Sequence, residues 1–540
     1  MPRRRLFYLL AVVAMIGQMA FAMVTTATQQ TPTIDEPVYV ATAEVYAQQH
    51  SLRYNPEHPP LGKLILATGL AFGGAHRLDP AFSGSQTALG RHLLYESGNN
   101  PFRLLVAARL PVILLTCLFG LVVLAFGRDL AGPVGGLIAL GLYTFSPDVI
   151  AHGSLATLDV PAAGLLLTAC WLVWRGRDRP YRYLPLAGLA LGGALATRAS
   201  ALPAVPLIVG LAALSMWHAR RTRPPLLPTP LRRRLVAGAG ALVVTGLIAV
   251  AVVWVVYLIV DPRLRWTTPA GLPHPGGLKG LAVEWLPVPR AYRDGLLMQF
   301  QFERQTFNGF LLGRPYRGNL WYYLPAALLI KTPLGMLALW VAGVLTMLVL
   351  PRLRAAALYV LPISAVLLLV AMTGARDYGT RYAIFLPLFL AVAAGTVALL
   401  RIRFAVPVAA LLVLVTAVSS LRTFPYYLPY SNEAFGGTAN THRNLHDSNV
   451  DWGQDLARLS RKLRTDYPGQ PVWLIYKGSG VPAYYGITAA DPYSVPFDRV
   501  HGILVVSDSR VALASPKLKQ LLDTSTPIDQ VGYSMTIYKR

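Results

Sequence analysis

Long apolar blocks, separated by charged connections, limit this chain more than any other feature. A helix needs about 20 apolar residues to span a bilayer, somewhat fewer for a thin or broken span. Blocks of that kind fall at roughly 6–28, 104–126, 131–147, 158–174, 184–197, 201–216, 235–259, 334–350, 355–372, 381–399 and 404–421. The fifth and sixth are short and closely linked, so the expected count is about eleven, give or take one or two. This pattern predicts an all-α polytopic membrane protein. Only 14% of residues are charged, against about 25% in a soluble domain, which argues against a plain cytosolic enzyme, a coiled coil or a disordered chain. The two cysteines, Cys117 and Cys170, lie inside apolar runs. They read as small buried hydrophobes, not as a disulfide framework.

The charges predict the topology. The formal net charge is +24, which in another context would suggest a nucleic-acid partner. Here the dense arginine clusters are Arg3–Arg5, Arg128, Arg175 to Arg182, Arg220 to Arg234, Arg352 with Arg354, and Arg401 with Arg403. With a cytoplasmic N-terminus, every one of them falls on the inner side, as the positive-inside bias requires. The basic excess is therefore topogenic, and no nucleic-acid partner is expected. An odd span count puts the C-terminus outside. The expected organisation is a transmembrane domain over 1–421, with external loops at 29–103 and 260–333, followed by an external domain over 422–540. Loops this long are usually functional. In the tail, PVWLIY (471–476), GILVVS (502–507) and GYSMTIYK (532–539) read as strands and 455–467 as a helix, so a small α/β unit is expected. Arg3–Arg5, the following apolar stretch and Ala20-Phe21-Ala22 resemble a cleavable signal. The stretch is long for one, and a retained helix is expected.

Several external residues could carry chemistry. Asp35 and Glu36 follow the first span directly, where an acidic pair is costly unless solvated, paired or functional; the alternative is a helix cap. In NPEHPPLGKLILATGLAF (55–72), Pro59-Pro60 opens an apolar helix with Lys63 in its first turn. A cation beside free backbone N–H groups suits a phosphate; the alternative is a snorkelling lysine. Asp159 lies at the outer end of the fourth span, with Asp148 and His152 just before it. Arg109, Arg198, Arg376 and Arg381 also fall near external span ends, where the charge bias makes arginine less expected. They read as ligands of an anionic lipid phosphate or as ion-pair partners of Asp35, Glu36, Asp159 or Asp377. His442 and His446 lie four apart, with Asp447 adjacent, a weak candidate metal pair. In DSNVDWGQDL (447–456) the polar and aromatic residues read as a sugar-contacting surface or as a structural turn and cap.

Together these motifs resemble the protein O-mannosyltransferase family, glycosyltransferase family 39 with the GT-C fold. The resemblance rests on DE followed by a tyrosine, HPPLGK, and the Asp-Val-Pro that opens a later span. DYGTRYAIFLPLFLAVAAG (377–395) and YYLPYSNEAFGG…LHDSNVDWGQDLARL (426–459) look like the bacterial phospholipid carrier-dependent branch. The resemblance implies a multi-pass enzyme of the bacterial inner membrane. It would move one sugar from a polyprenyl-phosphate donor to a protein, lipid or glycan acceptor on the external face. It further implies Asp35 as base, with Glu36 and Asp159 as acidic neighbours. Lys63, Arg109, Arg381 and Arg198 would hold the donor phosphate, and His58, Tyr39 and Tyr382 would shape the site. A divalent metal at Asp35, His58 and Asp159 stays open, and no other cofactor is expected. Two other readings compete: a transporter or flippase for a lipid-linked substrate, and a non-catalytic envelope assembly protein.

Overall fold

The structure is a computed structural model, described for residues 3–74, 77–222 and 231–540. It is mostly helical, and a helix occupies each block where a span is expected. Helix α1 (Arg3–Gln29) is unbroken through Ala20-Phe21-Ala22, and its Met19, Ala22, Met23 and Ala27 lie in the main core. The first loop carries α2 (Glu36–Glu44), α3 (Leu61–Leu70) and α4 (Gln86–Arg91). The second and third blocks form one long element, α5 (Pro101–Thr144). It is broken at Ala131 and Gly132, where Gly132 adopts φ 73° and Pro133 follows. Glycine takes the left-handed conformation at no steric cost, and proline supplies no N–H to continue the ladder.

The bundle continues with α6 (Pro147–Gly153), α7 (Asp159–Arg175), α8 (Pro180–Thr197), α9 (Val205–Thr222) and α10 (Leu231–Val260). The second loop folds into α11 (Gly277–Glu284), α12 (Arg290–Glu303), the antiparallel pair β1 (Asn308–Leu311) and β2 (Arg314–Arg317), and α13 (Tyr323–Lys331). Helices α14 (Leu334–Val349), α15 (Arg354–Ala371), α16 (Phe385–Gly395) and α17 (Ala405–Thr423) complete it. Among the described residues, six helices are long and apolar enough to cross a membrane by themselves. Helices α7 and α16 are almost wholly buried by their neighbours. Val13, Leu114, Leu247, Val341, Leu369 and Leu411, on six different helices, are exposed. An apolar belt of that extent belongs in lipid, and the chain is a multi-pass membrane protein.

The helices sort charge to their two ends. At one end Arg175 pairs with Asp129 at 3.1 Å, Arg177 lies over the Trp174 ring at 4.3 Å, and Arg352 donates to the Leu399 carbonyl at 2.6 Å. Helix α7 runs from that end to Asp159, where Arg198 pairs with it at the opposite end. Arg175, Arg177 and Arg352 thus lie away from the acidic motifs; Arg223, of the cluster from Arg220 to Arg234, lies outside the described residues. A reporter active only outside the cytoplasm, fused after Arg540, is therefore expected to be active. Activity of a cytoplasm-only reporter at the same position would reverse the orientation.

The tail contains α18 (Thr441–Asn444), α19 (Leu456–Asp466), α20 (Asp508–Ala512) and α21 (Pro516–Asp523). Its sheet has the order β3 (Val472–Ile475), β4 (Ile503–Ser507), β6 (Met535–Lys539), β5 (Thr526–Val531), with only β3 and β4 parallel. Leu456, Leu459 and Leu463 of α19 pack on one face, and Leu518 and Leu521 of α21 on the other. The strand β4 is consequently buried throughout. Strand β5 has no counterpart among the expected strands: Pro527 and a register shift before Asp529 interrupt its pattern, as an edge strand allows. The sheet's own core begins at Leu456, whereas Tyr427, Leu428, Leu445, Val450 and Trp452 belong to the helical core. The first part of the segment expected as an external domain is thus packed into the bundle.

Candidate active site

Asp35 immediately precedes α2, but it does not cap it. Its backbone is helical, at φ −85° and ψ −27°, and its side chain makes no cap hydrogen bond. The carboxylate instead turns to Arg381, whose Nη1 donates to Oδ2 at 2.7 Å. The Asp35 side chain is 27% exposed, so its carboxylate is reachable from outside the protein. Arg381 lies in the short 3₁₀ turn Thr380–Ala383 ahead of α16. Its guanidinium sits over the Trp452 ring at 4.3 Å and the Tyr382 ring at 5.1 Å, with the Tyr382 hydroxyl at 3.4 Å. Stacking on two aromatic faces holds the planar group while leaving donors for an anion. The Arg381 Nε is buried without a partner.

Other cations converge on the same place. His58 packs edge-on against Tyr39 at 5.8 Å. Burial, and then the charges of Arg198, Lys63, Arg376 and Arg381, hold the His58 pKa well below its usual value. The Tyr39 phenol is pushed up, chiefly by burial and then by Asp35, with Arg198 and Arg381 opposing. Asp159, at the start of α7, is ion-paired with Arg198. Arg376 lies over the Phe302 ring at 5.4 Å and donates to the Gln299 side chain at 3.0 Å. Arg381 thus holds the accessible carboxylate, and Arg198, paired with Asp159, and Arg376, paired with Glu303 at 3.4 Å, lie within electrostatic reach of His58. That balance suits an anionic group beside a base. Asp35 and Asp159 each face a guanidinium. Among the described residues, no group of three or more His, Cys, Asp or Glu is arranged to hold a metal ion. The donor set does not fit a metal, and His446 is packed between the Phe310 and Tyr378 rings instead.

Three of the expected site residues are committed elsewhere. Glu36, expected as an acidic neighbour of the base, is fully buried. Its Oε1 and Oε2 accept from Arg109 Nε and Nη2, both at 2.7 Å. They also accept from the Thr33 N–H at 2.9 Å, the Thr33 hydroxyl at 3.0 Å and the Ala156 N–H at 2.8 Å. Burial raises the Glu36 pKa, but Arg109 and these other donors outweigh it and hold the carboxyl below its usual value. Arg109, expected on the donor phosphate, has no donor left for one. Its Nη1 donates to the Ala27 and Gln30 carbonyls at 2.6 and 2.9 Å, and its Nη2 also to that of Thr31 at 3.2 Å.

Lys63, the first candidate for the phosphate, is turned inward and fully buried. Its Nζ donates to the Asn55 carbonyl at 2.8 Å, the Asn55 Oδ1 at 3.0 Å and the His58 carbonyl at 2.6 Å. It therefore ties down the turn in which Asn55 adopts φ 50°, a conformation asparagine tolerates. Burial pushes the Lys63 pKa down to about 7, with Glu57 opposing. Lys63→Met keeps the volume but leaves these acceptors unpaired, so it should cost about 1–3 kcal/mol. Affinity for a polyprenyl phosphate should be unchanged. Thermal denaturation and lipid titration of the purified variant check both halves; a selective loss of lipid affinity would restore the phosphate role.

The DSNVDWGQDL segment joins what it lies between. Ser448 Oγ donates to the Tyr378 carbonyl at 2.6 Å, and Asn449 Oδ1 accepts from the Thr380 N–H at 3.1 Å. On its other side the Trp452 carbonyl accepts from the Ile34 N–H at 3.0 Å, and the Gln454 carbonyl from the Thr31 N–H at 2.9 Å. Asn449 Nδ2 donates to the Tyr323 hydroxyl at 2.9 Å. Lys331 donates to the Asn449 carbonyl at 3.2 Å and pairs with Asp148 at 3.2 Å. Lys331 and Tyr323 are not among the expected site residues. The signal for Lys331 is in LLIKTP, a lone cation at the end of an apolar run.

Residues 103–230 match the family model described as dolichyl-phosphate-mannose-protein mannosyltransferase. No curated protein matches the chain. Among solved structures the chain is similar to ArnT from Cupriavidus metallidurans bound to undecaprenyl phosphate, at 14% identity and a TM-score of 0.48, over 98% of this chain and 97% of that one. It is also similar to the archaeal oligosaccharyltransferase AglB from Archaeoglobus fulgidus, at 12% identity and a TM-score of 0.45, over 94% and 70%. The S. cerevisiae Pmt1-Pmt2 complex matches at 17% identity and a TM-score of 0.35, over 47% and 33%. The family match falls on the segment that carries Arg109, Asp159 and Arg198.

Proposed function

We propose that the protein transfers one sugar from a polyprenyl-phosphate donor to a hydroxyl acceptor on the external face of a bacterial inner membrane. The observation that carries this reading is the accessible Asp35 carboxylate held by Arg381, with Arg198 and Arg376 near the same His58. Asp35 takes the proton of the acceptor hydroxyl, and the acceptor oxygen forms a bond to the anomeric carbon as the bond from that carbon to the phosphate oxygen breaks. The polyprenyl phosphate leaves with the electron pair. Arg381, Arg198 and Arg376 stabilise the charge that develops on it. Tyr39, His58 and Tyr382 wall the reacting centre, and Asp159 orients Arg198. The acceptor is a protein, lipid or envelope glycan hydroxyl.

The test uses purified protein in lipid nanodiscs with radiolabelled hexose and pentose donors on undecaprenyl phosphate. Membrane lipids, envelope glycan and envelope protein are offered as acceptors. Label is expected to move to one acceptor class, with release of undecaprenyl phosphate. Absence of transfer from every donor to every acceptor would overturn the proposal.

A further inference from the structure

The two partners of the Asp35–Arg381 pair lie 346 residues apart in the chain. Neither of the segments carrying them is a regular helix at that point: Asp35 follows an irregular stretch, and Arg381 sits in a short 3₁₀ turn. Something else must hold their separation. The segment 448–454 touches both. Ser448 and Asn449 fasten Tyr378 and Thr380, just ahead of Arg381. Trp452 and Gln454 fasten Ile34 and Thr31, just ahead of Asp35.

Trp452 is the one residue of this brace that reaches both partners. Its carbonyl receives the N–H of Ile34, the neighbour of Asp35, and its buried indole lies under the Arg381 guanidinium at 4.3 Å. His152 packs edge-on against the indole at 6.0 Å, so the ring cannot turn freely. The far side of the brace is gripped by the C-terminal sheet unit. Lys477 pairs with Asp447, Tyr476 donates to the Gly453 carbonyl at 2.7 Å, and Ser509 Oγ donates to the Asp451 carbonyl at 3.1 Å. Ser479 also donates to the Thr33 carbonyl at 2.9 Å, two residues from Asp35.

We infer that Trp452 is a positioning residue for sugar transfer, and that the C-terminal sheet unit sets the Asp35–Arg381 geometry through the 447–454 brace. This deepens the glycosyl-transfer reading above and rests on it. A base and a phosphate-binding cation must be placed to within a fraction of an ångström, and a misplacement of about 1 Å can cost on the order of 10²-fold in rate. Trp452 acts on the site through the Arg381 guanidinium and the backbone beside Asp35, and Lys477 acts through Asp447 of the brace.

The experiment compares Trp452→Leu, Trp452→Phe and Lys477→Met with the wild type and with Asp35→Asn, all as full-length protein in nanodiscs. Trp452→Leu should lower kcat by about 10-fold or more. Trp452→Phe, which keeps an aromatic face for Arg381, should recover most of the rate. Lys477→Met touches neither Asp35 nor Arg381 and should lower kcat several-fold. Amide hydrogen exchange supplies a readout independent of turnover: residues 31–36 and 378–381 should exchange faster together in Trp452→Leu and in Lys477→Met. Wild-type kcat in both variants, with Asp35→Asn inactive, would overturn the brace and leave the transferase standing. Unchanged exchange in both segments would overturn the brace even if no donor turns over.

Discussion

Asp35→Asn is expected to reduce sugar transfer by about 10²-fold or more, the scale of losing a general base. The substitution keeps the size of the side chain and an oxygen that can still accept from Arg381, but it removes the basicity. Donor binding should change little, because in the proposed reaction the carboxylate serves the acceptor hydroxyl while Arg381, Arg198 and Arg376 serve the phosphate. The geometry sharpens this test. A capping aspartate would tolerate asparagine, which caps about equally well, but the Asp35 side chain makes no cap bond. Initial rates and undecaprenyl phosphate affinity of the purified variant decide the matter. Transfer at the wild-type rate would remove Asp35 from the role of base. Suspicion would not pass to Glu36, whose oxygens are both occupied; Asp159 would be the remaining acid.

Breaking the Glu36–Arg109 pair should unfold the protein before it alters any chemistry. Both side chains are buried, and the pair gathers three segments: the end of α1 through the Ala27 and Gln30 carbonyls, the start of α2 through Glu36, and the turn between α6 and α7 through the Ala156 N–H. Removing one partner leaves a buried charge uncompensated, at a cost of about 3–5 kcal/mol. Arg109→Met is expected to lose that much and to give poor yields in membranes. Arg109→Lys should rescue little, since an ammonium cannot match five planar donors. Denaturation of the detergent-solubilised protein measures the loss, and activity per folded molecule separates it from catalysis. A well-folded Arg109→Met protein that had lost only donor affinity would return Arg109 to the phosphate.

The pairing also shows how two adjacent acids come to differ. In the sequence, Asp35 and Glu36 are a single DE motif at a span end, and either could be the base. In the fold, consecutive residues at a helix start point in different directions. One carboxylate faces inward to Arg109 and the other outward to Arg381. The same holds for the four arginines near external span ends. Arg109 is consumed by structure, while Arg198, Arg376 and Arg381 stand around His58. Their placement near one end of the bundle is legible from span boundaries, because topology is a matter of counting. Which of them retains free donors depends on partners tens or hundreds of residues away.

By itself the sequence determined the helical membrane bundle and three of the four strands of the tail. Each of these is written in local periodicity and composition: apolar run length and β-rich segments between turns. It also identified the acidic motif, the cationic span ends and DSNVDWGQDL as the places to look. Only the tertiary structure decided what those residues do. It turned Lys63 inward onto the carbonyls of its own turn and closed Glu36 on Arg109. It brought the indole of Trp452 beneath Arg381 and the carbonyl of Trp452 against the backbone that leads to Asp35. The physical reason is that burial and hydrogen-bond satisfaction are properties of a surrounding. A buried lysine or glutamate persists only where every donor and acceptor has found a partner, and those partners come from segments far apart in the chain.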